Sequence, residues 1–276
     1  MGDWKLNKIK ICILRVGGTN CDLETKRSLD SFEDVESEVV RINQLDDDKN
    51  LLEYEGLVIP GGFSYGDHIR AGAVFANKII SDLGEEIKKF AENGGIILGI
   101  CNGFQVLIET GLLPGFHGIS RRSKAALAIN ESAKYECRWI HVKPENRGSC
   151  IFTRGIEKDN LFMPVAHNEG RFILQKEEEE KLLKRLDEND QIVFRYSDEE
   201  GNSAEKKYPE NPNGSTYDIA GICDPSGKIF GLMPHPERAF YGLQLPDWTS
   251  RKEVPKHADG KLIFDSMVDY LKRNFR

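Results

Sequence analysis

The chain has 276 residues, 39% of them hydrophobic and 30% charged, with a formal net charge of −7. That length suffices for one large α/β domain with a sizeable core. The acidic balance argues against a nucleic-acid binder, and no apolar run approaches the ~18 residues that a membrane-spanning helix needs.

Residues 9–16 form the first apolar run, which Lys10 interrupts; it predicts a strand and is too short for a signal peptide. A helix is expected over 22–32, strands over 39–42 and 56–59, and helices over 69–83 and 85–92. The fully apolar stretch 96–100 reads as the central strand, followed by a helix over 102–110 that stops near Gly111 and Pro114. From 137 to 222 the pattern changes to short β segments and turns, with strands expected over 138–142, 172–174 and 192–196. Residues 176–190, with four consecutive glutamates, predict a solvated helix, and the polar, Gly- and Pro-bearing stretch 198–213 predicts a surface loop. A last strand runs over 228–233, and 243–259 is irregular, a candidate partner-facing loop. Phe264, Met267, Val268 and Leu271 follow the i, i+3, i+4, i+7 spacing of an amphipathic helix. Alternating strands and helices imply right-handed crossovers and a parallel sheet covered on both faces. No repeat, low-complexity tract or linker divides the chain.

The central strand ends in Gly99-Ile100-Cys101-Asn102-Gly103. Small residues two positions either side of the cysteine permit the sharp strand-turn-helix elbow on which hydrolases present a nucleophile. The helix that follows aims the positive end of its dipole at the sulfur. The plain alternative is a small cysteine packed between strand and helix. A cysteine nucleophile needs a base, and the base an orienting group. The strand at 228–233 runs into Pro234-His235-Pro236-Glu237-Arg238, a rigid loop that can fold Glu237 behind the imidazole and turn the other ring nitrogen toward Cys101. A surface turn with a Glu237–Arg238 ion pair is the plain alternative here. The strand at 56–59 ends in Pro60-Gly61-Gly62, where paired glycines bring backbone close to a ligand; the Gly62 and Asn102 N–H groups would make an oxyanion hole. All three pieces fall at strand carboxyl ends, where open α/β sheets bind ligands.

The six cysteines, at 12, 21, 101, 137, 150 and 223, include no Cys-x-x-Cys pair, so neither a zinc site nor a redox pair is expected and the thiols read as reduced. Cys12 and Cys223 sit in apolar strands as core residues. Cys21 falls in a turn-rich block, expected open to solvent and with no base beside it in sequence. His68, His117, His141, His167 and His257 lack ligand spacing, so no metal site is expected. His235-Pro236-Glu237 is also similar to the His-x-Glu of zinc deaminases, but their Pro-Cys-x-x-Cys is missing. Arg121-Arg122-Ser123-Lys124 is a small basic cluster, either solvated surface or partner interface.

Taken in order, the Pro-Gly-Gly loop, the cysteine elbow and the late His-Pro-Glu resemble a class I, triad-type glutamine amidotransferase. Five blocks narrow the likeness to members that serve purine synthesis: Gly18-Thr19-Asn20-Cys21-Asp22, Gly61-Gly62-Phe63-Ser64-Tyr65-Gly66-Asp67, Cys101-Asn102-Gly103-Phe104-Gln105, Asn211-Pro212-Asn213-Gly214-Ser215 and Met233-Pro234-His235-Pro236-Glu237-Arg238. The resemblance implies a flavodoxin-like, doubly wound, mostly parallel sheet with added short β segments in the middle, all of 1–276 forming one glutaminase domain. It implies Cys101 as nucleophile, His235 as base, Glu237 as its orienting group, Gly62 and Asn102 as oxyanion donors, and Gly61 and Gln105 as contacts to L-glutamine. The block Ala166-His167-Asn168-Glu169-Gly170-Arg171 departs from the family's His-Gly-Glu-Gly, with Asn168 in place of the first glycine. No metal is implied in this chain. No phosphate-loop motif occurs in it, consistent with ATP and magnesium held by a large synthase subunit that receives the ammonia. A small accessory subunit and a cytoplasmic location are implied as well.

Three rivals stand beside this reading. A glutaminase serving another synthase would keep the triad but lose the Gly-Gly-Phe-Ser-Tyr-Gly-Asp and Asn-Pro-Asn-Gly-Ser blocks. A peptidase of related fold would commonly carry histidine behind the nucleophile, where this chain has Asn102. A non-catalytic regulatory scaffold has no need of an intact triad.

Overall fold

A computed structural model of the protein describes residues 8–47, 49–116, 119 and 123–275. In chain order its elements are β1 (Ile9–Arg15), α1 (Asp22–Leu29), β2 (Val35–Arg41), α2 (Ile42–Asp47), β3 (Gly56–Ile59), α3 (Ala73–Lys78), α4 (Gly84–Glu92), β4 (Ile96–Ile100) and α5 (Asn102–Glu109). Then follow β5 (Ala125–Ala128), β6 (Glu136–Pro144), β7 (Leu161–His167), β8 (Arg171–Leu174), α6 (Glu179–Glu188), β9 (Ile192–Ser197), β10 (Ile219–Cys223), β11 (Ile229–Leu232) and α7 (Lys261–Phe275). Of the basic cluster, Arg121 and Arg122 lie outside the described residues, as does His117; Lys124 pairs with Glu178.

A nine-stranded sheet in the order β2-β1-β3-β4-β11-β10-β9-β6-β7 carries the molecule. Its first five strands are parallel neighbours and reproduce the flavodoxin-like order, with β11 as the fifth strand. The remaining four continue the same sheet antiparallel. β3, β4 and β11 are buried at every position, the outcome that continuous apolar runs such as Ile96-Ile97-Leu98 require of strands covered on both faces. α1 and α7 pack on each other and on β1, while α5 packs on β3, β4 and β11. β7 instead alternates buried with half-buried residues, the signature of a one-sided strand. β5 and β8 form a separate two-stranded pair.

Three expectations change. The helix foreseen over 69–83 begins only at Ala73, because Tyr65, Gly66, Asp67, Ile69 and Gly72 all hold positive φ. At Gly72 a Cβ would stand 2.9 Å from the Val106 backbone nitrogen, so this tight loop depends on glycine there. The stretch 198–213 is no simple surface loop, since Asn211 and Asn213 are buried and hydrogen-bonded. The 176–190 helix is solvated on one side only: α6 buries Leu182 and Leu186.

The far edge of the sheet curls back over the catalytic end. The His235 N–H donates to the Pro164 carbonyl of β7 at 2.8 Å, and the Cys101 thiol reaches the Ala166 carbonyl at 3.6 Å. The antiparallel half thereby roofs the carboxyl ends of β4 and β11.

Candidate active site

Cys101 stands between β4 and α5 with φ 51° and ψ −103°, a region that side-chain-bearing residues seldom occupy. The turn that imposes it is tight. A Cβ on Gly103 would lie 1.8 Å from the Ile59 carbonyl oxygen, and one on Gly99 would lie 2.7 Å from the Gly103 oxygen. Glycine at both positions is a steric requirement, and the sulfur is left at the carboxyl end of the sheet.

Pro236 and Glu237 begin a short 3₁₀ turn after β11, which folds the carboxylate back beneath the ring. His235 Nδ1 and Glu237 Oε1 are 2.6 Å apart, both side chains wholly buried. With Nδ1–H donated to the carboxylate, Nε2 carries the lone pair. That atom is buried and has no hydrogen-bond partner among the described residues. An orphaned buried nitrogen beside a cysteine elbow is the feature expected of a base awaiting a proton. Burial alone would lower the imidazole pKa. The Glu237 carboxylate and, once it is a thiolate, Cys101 act against it and raise the pKa well above the ordinary histidine range, so that the ring can hold the proton the sulfur gives up.

The oxyanion loop is fixed from two sides. The Asn20 and Cys21 N–H groups both point at the Gly61 carbonyl oxygen, at 3.4 and 3.2 Å, and Phe63 N–H donates to Gly18 O at 2.9 Å. Gly62 pairs with Thr19 between these bonds, so its own N–H is turned away from that strand segment. On the other side the Asn102 side chain accepts from Ser64 N–H at 3.2 Å and donates to Asp67 Oδ1 at 3.3 Å and Gln105 Oε1 at 2.8 Å. The Asn102 backbone N–H heads α5. Burial, with the neighbouring Glu169 carboxylate, raises the Asp67 pKa to about 6.

The 166–171 block forms the roof and is itself held by asparagines. His167 is buried between Asn130 Oδ1 at 3.1 Å from Nδ1 and Asn213 Nδ2 at 3.5 Å from Nε2. Burial, with the nearby His235, depresses its pKa to about 3, so it is a neutral structural ring. Asn213 also donates to the Gly170 carbonyl and the Tyr196 hydroxyl.

A family profile described as CobB/CobQ-like glutamine amidotransferase domain matches residues 8–271. The chain belongs to that family. "Phosphoribosylformylglycinamidine synthase subunit PurQ" of Archaeoglobus fulgidus is 47% identical over 96% of this chain and 98% of its own. The subunit of the same name from Dehalococcoides mccartyi is 42% identical over 97% of this chain and 100% of its own. Among solved structures, a chain of PurLQS from Thermotoga maritima superposes with a TM-score of 0.71 at 35% identity, covering 96% of this chain and 99% of that one. The glutaminase domain of Trypanosoma brucei CTPS, at 13% identity and a TM-score of 0.54, shares the fold.

In this amidotransferase Gln105 does not stand free. Its amide nitrogen donates to the Glu169 carbonyl at 2.6 Å while its oxygen holds Asn102, so it braces the roof against α5. Gly61 lies against the base: a Cβ there would sit 2.8 Å from His235 Cε1. Cys21 departs from expectation. It is 1% exposed, 3.9 Å from His235 Nδ1, and its sulfur accepts from Arg238 at 3.1 Å. With His235 and Glu237 it makes the one convergence of ligand-type atoms among the described residues. The Nδ1–Oε1 hydrogen bond occupies two of those atoms and the Arg238 guanidinium faces the third. Sequence reasoning gave no role to Cys21, the Asn102 side chain, Asn130 or Asn213. Three of these lie in matched blocks, Gly18–Asp22, Cys101–Gln105 and Asn211–Ser215, and block membership was the available signal.

Proposed function

We propose that this chain is the glutaminase subunit of a phosphoribosylformylglycinamidine synthase, the function that its relatives' name carries. The observation that supports this most is the buried His235–Glu237 pair, with Nε2 unpartnered, at the strand end beside the elbow of Cys101. The Cys101 sulfur attacks the side-chain amide carbon of L-glutamine, and its proton passes to His235 Nε2. The Gly62 and Asn102 N–H groups hold the oxyanion of the tetrahedral intermediate, worth about 3–4 kcal/mol per donor in comparable sites. As the carbon–nitrogen bond breaks, Nε2 returns the proton to the departing nitrogen and ammonia leaves, with Cys101 as a glutamyl thioester. Water then attacks the thioester while Nε2 takes its proton, glutamate departs and the thiol is restored. Gly61 lines the path beside the imidazole, and Gln105 holds the loop against which the glutamine head group rests.

Ammonia set free in water would be lost, so the reading includes a partner that receives it. That partner is a large ATP- and magnesium-binding synthase subunit, with a small accessory subunit, converting formylglycinamide ribonucleotide to formylglycinamidine ribonucleotide in the cytoplasm. No helix among the described residues is long and apolar enough to cross a membrane. The test follows the nitrogen. With amide-15N glutamine, ATP and the large subunit, the label should appear in formylglycinamidine ribonucleotide. Glutamine cleavage with no label in that product would reject the assignment to this synthase.

A further inference from the structure

Cys21 has no part in the proton and acyl transfers above, yet it touches both halves of the machinery that performs them. Its backbone N–H donates to the Gly61 carbonyl oxygen at 3.2 Å. That carbonyl and the Gly62 N–H belong to one trans peptide and point in opposite directions. Holding the oxygen toward Cys21 therefore aims the N–H away from it, and a flip of this peptide would break the bond. The Cys21 side chain works on the other element. Its thiol, which burial keeps protonated, donates to Asn20 Oδ1 at 3.1 Å and accepts from Arg238 at 3.1 Å. The sulfur lies 3.9 Å from His235 Nδ1. Arg238 is in turn anchored to Glu24 of α1 at 2.8 Å, which ties the loop after the triad to the helix that Cys21 begins. The fit leaves no slack, since a Cβ on Gly61 would meet His235 Cε1 at 2.8 Å and Cys21 Sγ at 3.0 Å.

We propose that Cys21 is a positioning residue: its thiol sets the His235 imidazole against the Gly61–Gly62 peptide that its own N–H, with that of Asn20, holds in place, so that oxyanion donor and general base are aligned with each other. The inference rests on the glutaminase reading above. Because Cys21 holds transition-state groups, its loss acts on kcat and leaves glutamine affinity nearly unchanged.

The experiment compares Cys21→Ala, Cys21→Ser and Cys101→Ala in the full chain assembled with its synthase subunit. Cys21→Ala should lower kcat for glutamine hydrolysis about 10- to 100-fold with KM within about twofold, since small misplacements of reacting groups have effects of this size. Cys21→Ser should recover most of that loss, because its hydroxyl can still donate to Asn20 and accept from Arg238. Synthesis from added ammonia should be unaffected in both. If Cys21→Ala fails to fold, Cys21→Val fills the same space without a polar group and should show the same loss. Wild-type kcat in the alanine or valine variant, or a serine variant no better than alanine, overturns the role of Cys21. Glutamine hydrolysis surviving in Cys101→Ala overturns the underlying reading instead, whatever Cys21 does.

Discussion

The two halves of the sheet divide the labour differently. The parallel half, β2-β1-β3-β4-β11, delivers its reacting groups at abrupt chain reversals: Gly62 after β3, Cys101 after β4, His235 after β11. Each reversal carries strain or a close approach, as the φ of Cys101 and the crowding at Gly61 and Gly103 show. The antiparallel half contributes no group to the proposed chemistry. It supplies fixed acceptors, the Pro164 and Ala166 carbonyls, on a roof held by buried asparagines. The contrast teaches that reactive side chains sit where the backbone is forced, and that the forcing is sustained by a hydrogen-bonded counterpart opposite.

Substitutions should separate the two halves. The largest effect is expected of Cys101→Ala or His235→Ala, each lowering glutamine hydrolysis by about 10⁴-fold or more, with ammonia-dependent synthesis by the complex retained. Glu237→Ala should lower it less, about 10²-fold, because the ring keeps its place but loses its orienting carboxylate. An unchanged rate in His235→Ala would remove it as the base. Gly61→Ala drives a methyl into His235 and should reduce kcat about tenfold or more with a near-normal melting temperature. Asn213→Ala probes the roof. It strips partners from the Gly170 carbonyl and the Tyr196 hydroxyl and should destabilise the fold by about 1–3 kcal/mol. A catalytic loss in Asn213→Ala without a loss of stability would contradict the division of labour.

The smallest effect concerns pH. A carboxyl whose folded-state pKa is raised to about 6, as at Asp67, binds its proton more tightly in the folded protein than in the unfolded chain. Its contribution to stability is therefore present at low pH and is lost as pH rises from about 4 through 6. Asp67→Asn should thus raise the melting temperature at pH 7.5 more than at pH 4. An equal shift at both values would show that Asp67 is not the group concerned.

Much of the parallel half was legible in the sequence. Runs such as Ile96-Ile97-Leu98-Gly99-Ile100, ending in glycine-flanked reversals, signal buried strands and their exits without reference to the rest of the chain. The antiparallel half was far less so. β7 carries Pro164, which argues against a central strand, and only its place at the sheet edge makes a missing N–H harmless. Asn213 fell in the expected surface loop and Asn130 in no expected element, because local sequence cannot reveal that they are buried against partners some 40 positions away. Cys21 was misplaced for the same reason. Its burial depends on His235, Gly61 and Arg238, which only the folded chain brings to it.

The most direct test of the central claim is peptide mass spectrometry after exposure to a glutamine-mimicking diazoketone, with the synthase subunit present and absent. A single adduct on Cys101 that excess glutamine prevents is the predicted result. Adduct formation only with the partner present would still place the nucleophile at Cys101 and show that docking completes the site. No adduct on Cys101 in either condition, while the exposed Cys137 alkylates normally with a general thiol reagent, would contradict the account and leave the elbow a structural turn.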